Sequence, residues 1–183
     1  MLIKGLTYIE NFISEEEETQ LISQIDNAVW LTDLKRRVQH YGYKYDYKKR
    51  KIDDSMKIGA LPNWIEQIAN TIFQKGYMPY LADQVIVNEY FAGQGIAHHI
   101  DCEPCFDDTI TSLSLGSSCT MEFISKDKIT QKEVFLEPRS LLIMTDEARY
   151  EWLHGIKAKK SDRVAGKTKV RGRRLSLTFR KIK

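Results

Sequence analysis

The sequence predicts an α+β fold, with helices in the first eighty or so residues followed by a β-sandwich or barrel. Apolar residues recur at helical spacing only before Gly76. After it come short apolar runs separated by turn-like segments. No helix-length segment separates those runs, which argues against parallel βαβ units and for segregated helices and strands.

The elements follow in order. Ser14-Glu15-Glu16-Glu17 is a capping box opening a helix whose apolar face is Leu21, Ile22, Ile25, Ala28 and Val29. Its early glutamates suit the positive end of the helix dipole. A second helix is expected from Pro62, in its first turn, to Gly76, its stop, burying Trp64, Ile65, Ile68, Ile72 and Phe73. The strands are QVIVNEY, TSLSLG, CTMEFI, EVFLEP and RSLLIMT, and RRLSLTFR closes the chain in strict alternation. There is no repeat, low-complexity segment or linker, so one domain spanning 1–183 is expected. The absence of a Gly-rich phosphate loop gives nucleotide cofactors little support.

Composition narrows the setting. Of 183 residues, 42% are hydrophobic and 29% charged, the balance of an ordinary soluble protein. MLIKGLTYIENFISEEEE lacks the apolar centre of a signal peptide, and no apolar run is long enough for a membrane span. Three cysteines, an odd number, argue against a disulfide framework and for a reducing compartment, cytoplasmic or nuclear. The net charge of +3 conceals two basic blocks. Residues 34–51 hold eight Lys or Arg against Asp46, and residues 157–174 hold nine against Asp162. A basic block is often a solvated surface, but two in one small chain point toward a polyanionic partner.

The chemistry concentrates in IAHHIDCEPCF, residues 96–106. In an extended segment neighbouring side chains point to opposite faces, so His99 and Asp101 share one. Their β-carbons are then roughly 7 Å apart, close enough to ligate one ion. His98 shares its face with Ile100 and is rejected as a ligand. His154, in RYEWLHGI, supplies the third donor. His99, Asp101 and His154 make the two-histidine, one-carboxylate facial triad that suits non-haem Fe(II) and leaves positions open. Cys102 and Cys105 form the rival site, a structural zinc, but Cys119 stands alone and no second Cys-x-x-C follows. A redox motif would need a βαβ unit. These cysteines are therefore expected to be ordinary thiols beside the triad.

In RRLSLTFR, Leu175, Leu177 and Phe179 form an apolar face, while Arg174, Ser176, Thr178 and Arg180 form a polar one. The two guanidinium groups lie roughly 20 Å apart along a strand and, leaning inward, could flank a small dicarboxylate. Asn88 and Tyr90 share one strand face and could add hydrogen bonds to the same ligand. An exposed cationic strand face is the plainer alternative.

NEYFAGQGIAHHID, SLSLGSSCTMEF, RSLLIMTDEARYEWLHGI and RRLSLTFR together resemble the AlkB family of Fe(II)- and 2-oxoglutarate-dependent dioxygenases. The resemblance runs from about Gly5, through RRVQHYGYKYDY, to Arg180. It implies a double-stranded β-helix, or jelly-roll, core over about 81–183, with helices and a nucleotide-recognition lid over about 1–80. It implies Fe(II) on His99, Asp101 and His154. It also implies 2-oxoglutarate held by Asn88, Tyr90, Arg174 and Arg180, with Ser176 and Thr178 lining that site. The implied reaction consumes O₂, converts 2-oxoglutarate to succinate and CO₂, and hydroxylates an N-alkyl group that then leaves as formaldehyde.

For the substrate, Tyr41, Tyr43, Tyr45 and Tyr47 occupy every second position, one face of a strand. Flanked by Arg36, Arg37, Lys44, Lys48, Lys49, Arg50 and Lys51, that face fits a base-stacking platform beside a phosphate track. It fits a half-buried core face equally well. Glu103, two residues after Asp101, stands where bacterial repair members often place an acidic base contact. RRVQHYGY and SLSLGS look most like the tRNA-modifying eukaryotic branch. The expected partner is DNA or RNA carrying an alkylated base, with the protein a monomer and no membrane involved. The alternatives are a related dioxygenase acting on a tRNA uridine or a protein side chain, and a catalytically silent nucleic-acid-binding module. The intact triad and arginine pair count against the last.

Overall fold

The computed structural model describes residues 3–32, 36–46, 51–52 and 54–183. Its elements run β1 (Leu6–Ile9), α1 (Glu15–Asn27), β2 (Val38–Tyr41), α2 (Asn63–Gln74), β3 (Gln84–Tyr90), β4 (Ile96–His99), β5 (Ile110–Gly116), β6 (Cys119–Ser125), β7 (Gln131–Leu136) and β8 (Leu141–Met144). They continue with α3 (Asp146–Tyr150), β9 (Trp152–Ile156), β10 (Ser161–Val164), β11 (Lys167–Val170) and β12 (Arg174–Arg180). One sheet has the order β1-β8-β5-β12-β3-β2, a second β4-β9-β6-β7, and β10-β11 form a separate ribbon. Every pairing between these strands is antiparallel. The architecture is a jelly-roll core with helices on one side, the α+β class expected.

Alternation along the strands makes two apolar layers. Leu175, Leu177 and Phe179 of β12 join Val85, Val87, Leu113, Leu115, Leu141 and Ile143 in a layer with Leu21 and Ile25 of α1 and Ile65, Ile68 and Ile72 of α2. The second layer joins Ile110, Leu142 and Met144 of the larger sheet to Met121, Phe123 and Ile156 of the smaller one. The helices therefore back the larger sheet, and the space between the sheets is left for the site. No helix among the described residues is long and apolar enough to cross a membrane.

The capping box at α1 is complete: the Glu17 amide donates to Ser14 Oγ at 3.1 Å, and the Ser14 amide to Glu17 Oε2 at 2.7 Å. Such a cap contributes about 1 kcal/mol. Two expected stripe residues are displaced. The helix ends at Asn27 and Ala28 is extended, so Val29 turns out to solvent, 84% exposed. In α2, Ala69 is buried and Phe73 is 41% exposed, so the buried arc narrows toward its end. Pro62 is the cap residue before α2 rather than part of its first turn.

The first eighty residues are also not helices and lid alone. β1 and β2 take the two edges of the larger sheet, β1 on β8 and β2 on β3. Both are only four residues long, too short for alternation to announce them. The second basic block folds as the β10-β11 ribbon, turning at Ala165 and Gly166, both with positive φ as a tight hairpin requires. The cysteine expectation also changes: Cys102 and Cys105 are bonded to each other, while Cys119 is free and buried. A tight turn, in which the amides of Cys105 and Phe106 both donate to the Cys102 carbonyl, brings the two together.

Candidate active site

His99 is the last residue of β4 and faces His154 of β9 across the pairing, their ring centroids 4.5 Å apart. Asp101 lies two residues beyond the strand end, its Oδ1 3.5 Å from His99 Nε2. One donor atom from each of the three lies within 4.8 Å of the other two. His98 turns to the opposite face, its Nε2 3.1 Å from Glu122 Oε2, and Lys157 Nζ lies 2.6 Å from the other oxygen of Glu122. The alternation that chose His99 over His98 holds.

The protonation states suit a cation. His99 Nδ1 is 2.8 Å from the Ala97 carbonyl. A carbonyl only accepts, so Nδ1 carries the proton and Nε2 keeps a lone pair for a metal. Burial, with the neighbouring His99, lowers His154 to about 3, so it is neutral at physiological pH. Burial would raise the Asp101 carboxyl, but Arg180 and the histidines outweigh it and hold it well below the usual range. A neutral His154 and an ionised Asp101 are thus presented beside His99 without competing protons of their own. This donor set fits Fe(II).

The triad forms one wall of a cavity of about 330 Å³ between the sheets. The opposite wall comes from β12 and β3: Arg174, Ser176, Thr178 and Arg180, with Ile86, Asn88 and Tyr90. All seven residues of β12 are buried, which rejects the exposed cationic face. Arg180 donates from Nε to Asp101 Oδ2 at 3.0 Å and from Nη1 to Gln84 Oε1 at 3.2 Å, beside the metal ligands. Arg174 donates from Nη2 to Ser114 Oγ at 2.8 Å and lies 5.6 Å from the Tyr90 ring centroid. Its Nε is buried with no hydrogen-bond partner. An orphaned guanidinium donor is costly, and a carboxylate is the group that relieves it. The cavity therefore fits a dicarboxylate as well as a metal.

The expected substrate residues are dispersed. Tyr41 packs in the helix-side layer, edge-on to Trp64 with centroids 5.4 Å apart, and donates to Gln39 Oε1 at 2.9 Å. Burial pushes its hydroxyl up to about 12. Tyr43 bridges to Lys57 and lines a separate cleft. Tyr45 alone of these three reaches the cavity, packed 5.7 Å from Phe106. The one-face ladder fails because β2 ends at Tyr41 and Gly42 turns the chain at φ +76. A Cβ at Gly42 would sit 1.8 Å from the Asp83 carbonyl oxygen, so only glycine fits there. Tyr47, Lys48, Lys49 and Arg50 lie outside the described residues.

Arg37 is also diverted. It grips the buried Glu89 through two hydrogen bonds of 2.5 and 2.8 Å, on the face of β3 away from the cavity. Arg173 joins it there, bonding both Glu89 and Asp26. Glu103 is exposed, its carboxylate 3.9 Å from Lys126, and does not line the cavity. Arg36 does line it, donating from Nε to Asn88 Oδ1 at 2.8 Å.

Several contributors escaped the sequence reading. Gln84 extends the Asn88–Tyr90 alternation backward, and Ser112 and Ser114 alternate in TSLSLG, so period 2 carried a signal for all three. Arg149 had none. It lies buried in the five-residue α3 and donates to the carbonyls of Asp101, Cys102 and Asp107 at 3.1, 3.3 and 3.4 Å, pinning the loop that carries Asp101.

Residues 5–180 match the model of the 2OG-Fe(II) oxygenase superfamily. The chain is 38% identical over 99% of its length to the alkylated DNA repair protein ALKBH8 homolog of Arabidopsis thaliana. It is 36% identical over 98% of its length to the mouse tRNA (carboxymethyluridine(34)-5-O)-methyltransferase ALKBH8. It spans 59% of the first relative and 30% of the second. The solved structure of OsALKBH1 superposes with a TM-score of 0.77 at 18% identity, covering 99% of this chain and 100% of that one.

Proposed function

Because the chain belongs to the AlkB family of the 2OG-Fe(II) oxygenase superfamily, and is therefore an Fe(II)- and 2-oxoglutarate-dependent dioxygenase, we propose that it oxidatively removes alkyl groups from bases of DNA or RNA. The observation that carries this reading is one cavity with the His99–Asp101–His154 triad on one wall and the Arg174–Arg180 face on the other. His99, Asp101 and His154 hold the iron. Arg174 takes the distal carboxylate of 2-oxoglutarate with the Nε that is otherwise orphaned. Arg180 keeps Asp101 ionised and oriented, and Gln84 holds Arg180 in turn. Asn88, Tyr90, Ser176 and Thr178 line the co-substrate's channel.

Bound Fe(II) supplies O₂ activation. The chain's residues orient the two reactants and exclude water. One oxygen atom of O₂ enters succinate and the other becomes the hydroxyl of an N–CH₂OH group. That group loses formaldehyde and leaves N–H on the base. The unpaired base would enter beside Tyr45, which lines the cavity and is backed by the buried Phe106. The exposed basic ribbon, with Arg163, Lys167 and Lys169, offers cations for the phosphate backbone. A cytoplasmic or nuclear location accompanies a nucleic-acid substrate.

A second reading keeps the same site and hydroxylates a tRNA base without losing carbon. It is favoured by the likeness to the mouse tRNA methyltransferase. The deciding experiment is mass spectrometry of tRNA, mRNA and alkylated DNA after incubation with Fe(II), 2-oxoglutarate and O₂. Loss of a methyl from one modified base is expected. Gain of one oxygen on a tRNA base would favour the second reading, and no change in any pool would sink both.

A further inference from the structure

Three guanidinium groups line the cavity, those of Arg36, Arg174 and Arg180, against one carboxylate, Asp101. Arg180 already holds Asp101. Arg174 and Arg36 have no carboxylate partner among the described residues, yet both flank one ring. Their guanidinium carbons lie 5.6 and 5.8 Å from the Tyr90 centroid. Two like charges facing a confined cavity repel, and an anion between them removes that cost. Arg36 donates one hydrogen bond among the described residues, from Nε to Asn88 Oδ1 at 2.8 Å. Its terminal N–H groups have no partner among the described residues and can donate to a carboxylate.

The chain also fixes where Arg36 stands. The next residue, Arg37, accepts the Glu89 amide on its carbonyl at 3.1 Å. Its side chain is locked on Glu89 and stacks 4.7 Å from the Trp30 centroid. Two consecutive arginines thus straddle β3, one clamped on its outer face and the other delivered to the cavity. A cation held in place before the ligand arrives loses little freedom on binding.

We propose that Arg36 is a second cation for the distal carboxylate of the co-substrate, acting with Arg174 beside Tyr90. This rests on the reading of the cavity as a 2-oxoglutarate site. It makes the segment before β2 part of the co-substrate site rather than of the base-binding lid, and it separates the roles of the two adjacent arginines.

The test compares two ligands on the anaerobic Fe(II) protein: 2-oxoglutarate and 2-oxopentanoate, which has the same chain but a methyl in place of the distal carboxylate. Arg36→Ala should weaken 2-oxoglutarate by about tenfold or more, the size of a lost charged hydrogen bond. It should change 2-oxopentanoate by less than about twofold, because the deleted charge meets no partner on that ligand. Arg36→Lys should recover part of the loss, since a point charge replaces the fork incompletely. Equal weakening of both ligands would mark Arg36 as a structural prop and overturn the assignment, as would an unchanged 2-oxoglutarate affinity. If wild-type protein bound no 2-oxoglutarate, the co-substrate reading would itself fall, and this assignment with it.

Discussion

β12 and the tyrosine-rich segment after β2 present the same sequence signal and fold differently. In β12, side chains of one type recur at every second position from Arg174 to Arg180, and all four polar ones line the cavity. From Tyr41 to Tyr45 the tyrosines keep the same spacing, yet one enters the helix-side layer, one a separate cleft and one the cavity. The difference is pairing. β12 is hydrogen-bonded along its length to β3 on one side and to β5 on the other. β2 is an edge strand of four residues, ended by a glycine that must turn. Alternation defines a face only as far as the ladder continues.

The comparison is tested most strongly on the wall opposite β12. Ala at His99, Asp101 or His154 should abolish 2-oxoglutarate turnover, because each removes one of three metal donors. His98→Ala should retain most of it, since His98 faces Glu122. Succinate release measures both. Equal loss in His98→Ala and His99→Ala would mean that the β4 register is wrong.

Next in size is β12 itself. Arg174→Ala should weaken 2-oxoglutarate by at least ~2 kcal/mol, about thirtyfold, because a buried carboxylate loses its partner. Arg180→Ala should also weaken metal binding, since it leaves Asp101 without its cation. Anaerobic titration of co-substrate and of metal separates the two effects. Identical behaviour of the two variants would erase the distinction between the ends of the strand.

Smaller effects divide the tyrosines. Tyr41→Ala should lower stability by roughly 2 kcal/mol or more, as loss of a packed aromatic does, and leave oligonucleotide affinity of the folded protein intact. Tyr45→Ala should weaken oligonucleotide binding by ~1–3 kcal/mol with a smaller shift in melting. Thermal melts and binding titrations on both variants would show whether the segment really splits between core and site.

A further effect lies outside both regions, at the root of the basic ribbon. Burial raises the Asp162 carboxyl, but its paired hydrogen bonds from Arg171 outweigh this and bring it to about 2. Its folded value lies below its unfolded one, so its contribution is present above about pH 4 and disappears as pH falls toward 2. The loss should be of order 2 kcal/mol, read as the difference in acid sensitivity between wild type and Asp162→Asn in denaturant melts. Asp101 acts in the same direction and is common to both proteins.

The balance of what was legible follows from this contrast. The triad was read from ligand chemistry and spacing, since β4 is itself a four-residue edge strand and Asp101 lies beyond it. The arginine face, Asn88 and Tyr90 could be read because β12 and β3 are long strands paired on both sides. Short edge strands such as β1 and β2 could not, because four residues hold too few alternations. That Arg37 and Glu103 lie away from the cavity could not be read, because charge composition says nothing about which buried carboxylate or outer surface a side chain will find. Arg149 was invisible since its partners are backbone carbonyls, which leave no mark on residue type.

On the proposed function, the cavity couples 2-oxoglutarate consumption to removal of an alkyl group from a nucleic-acid base. The most direct measurement is the ratio of formaldehyde to succinate released from a methylated oligonucleotide, compared with its unmethylated counterpart. Equal amounts of the two products are predicted from the methylated strand, with little of either from the unmethylated one. Succinate released without formaldehyde, while the strand keeps its methyl, would contradict this coupling.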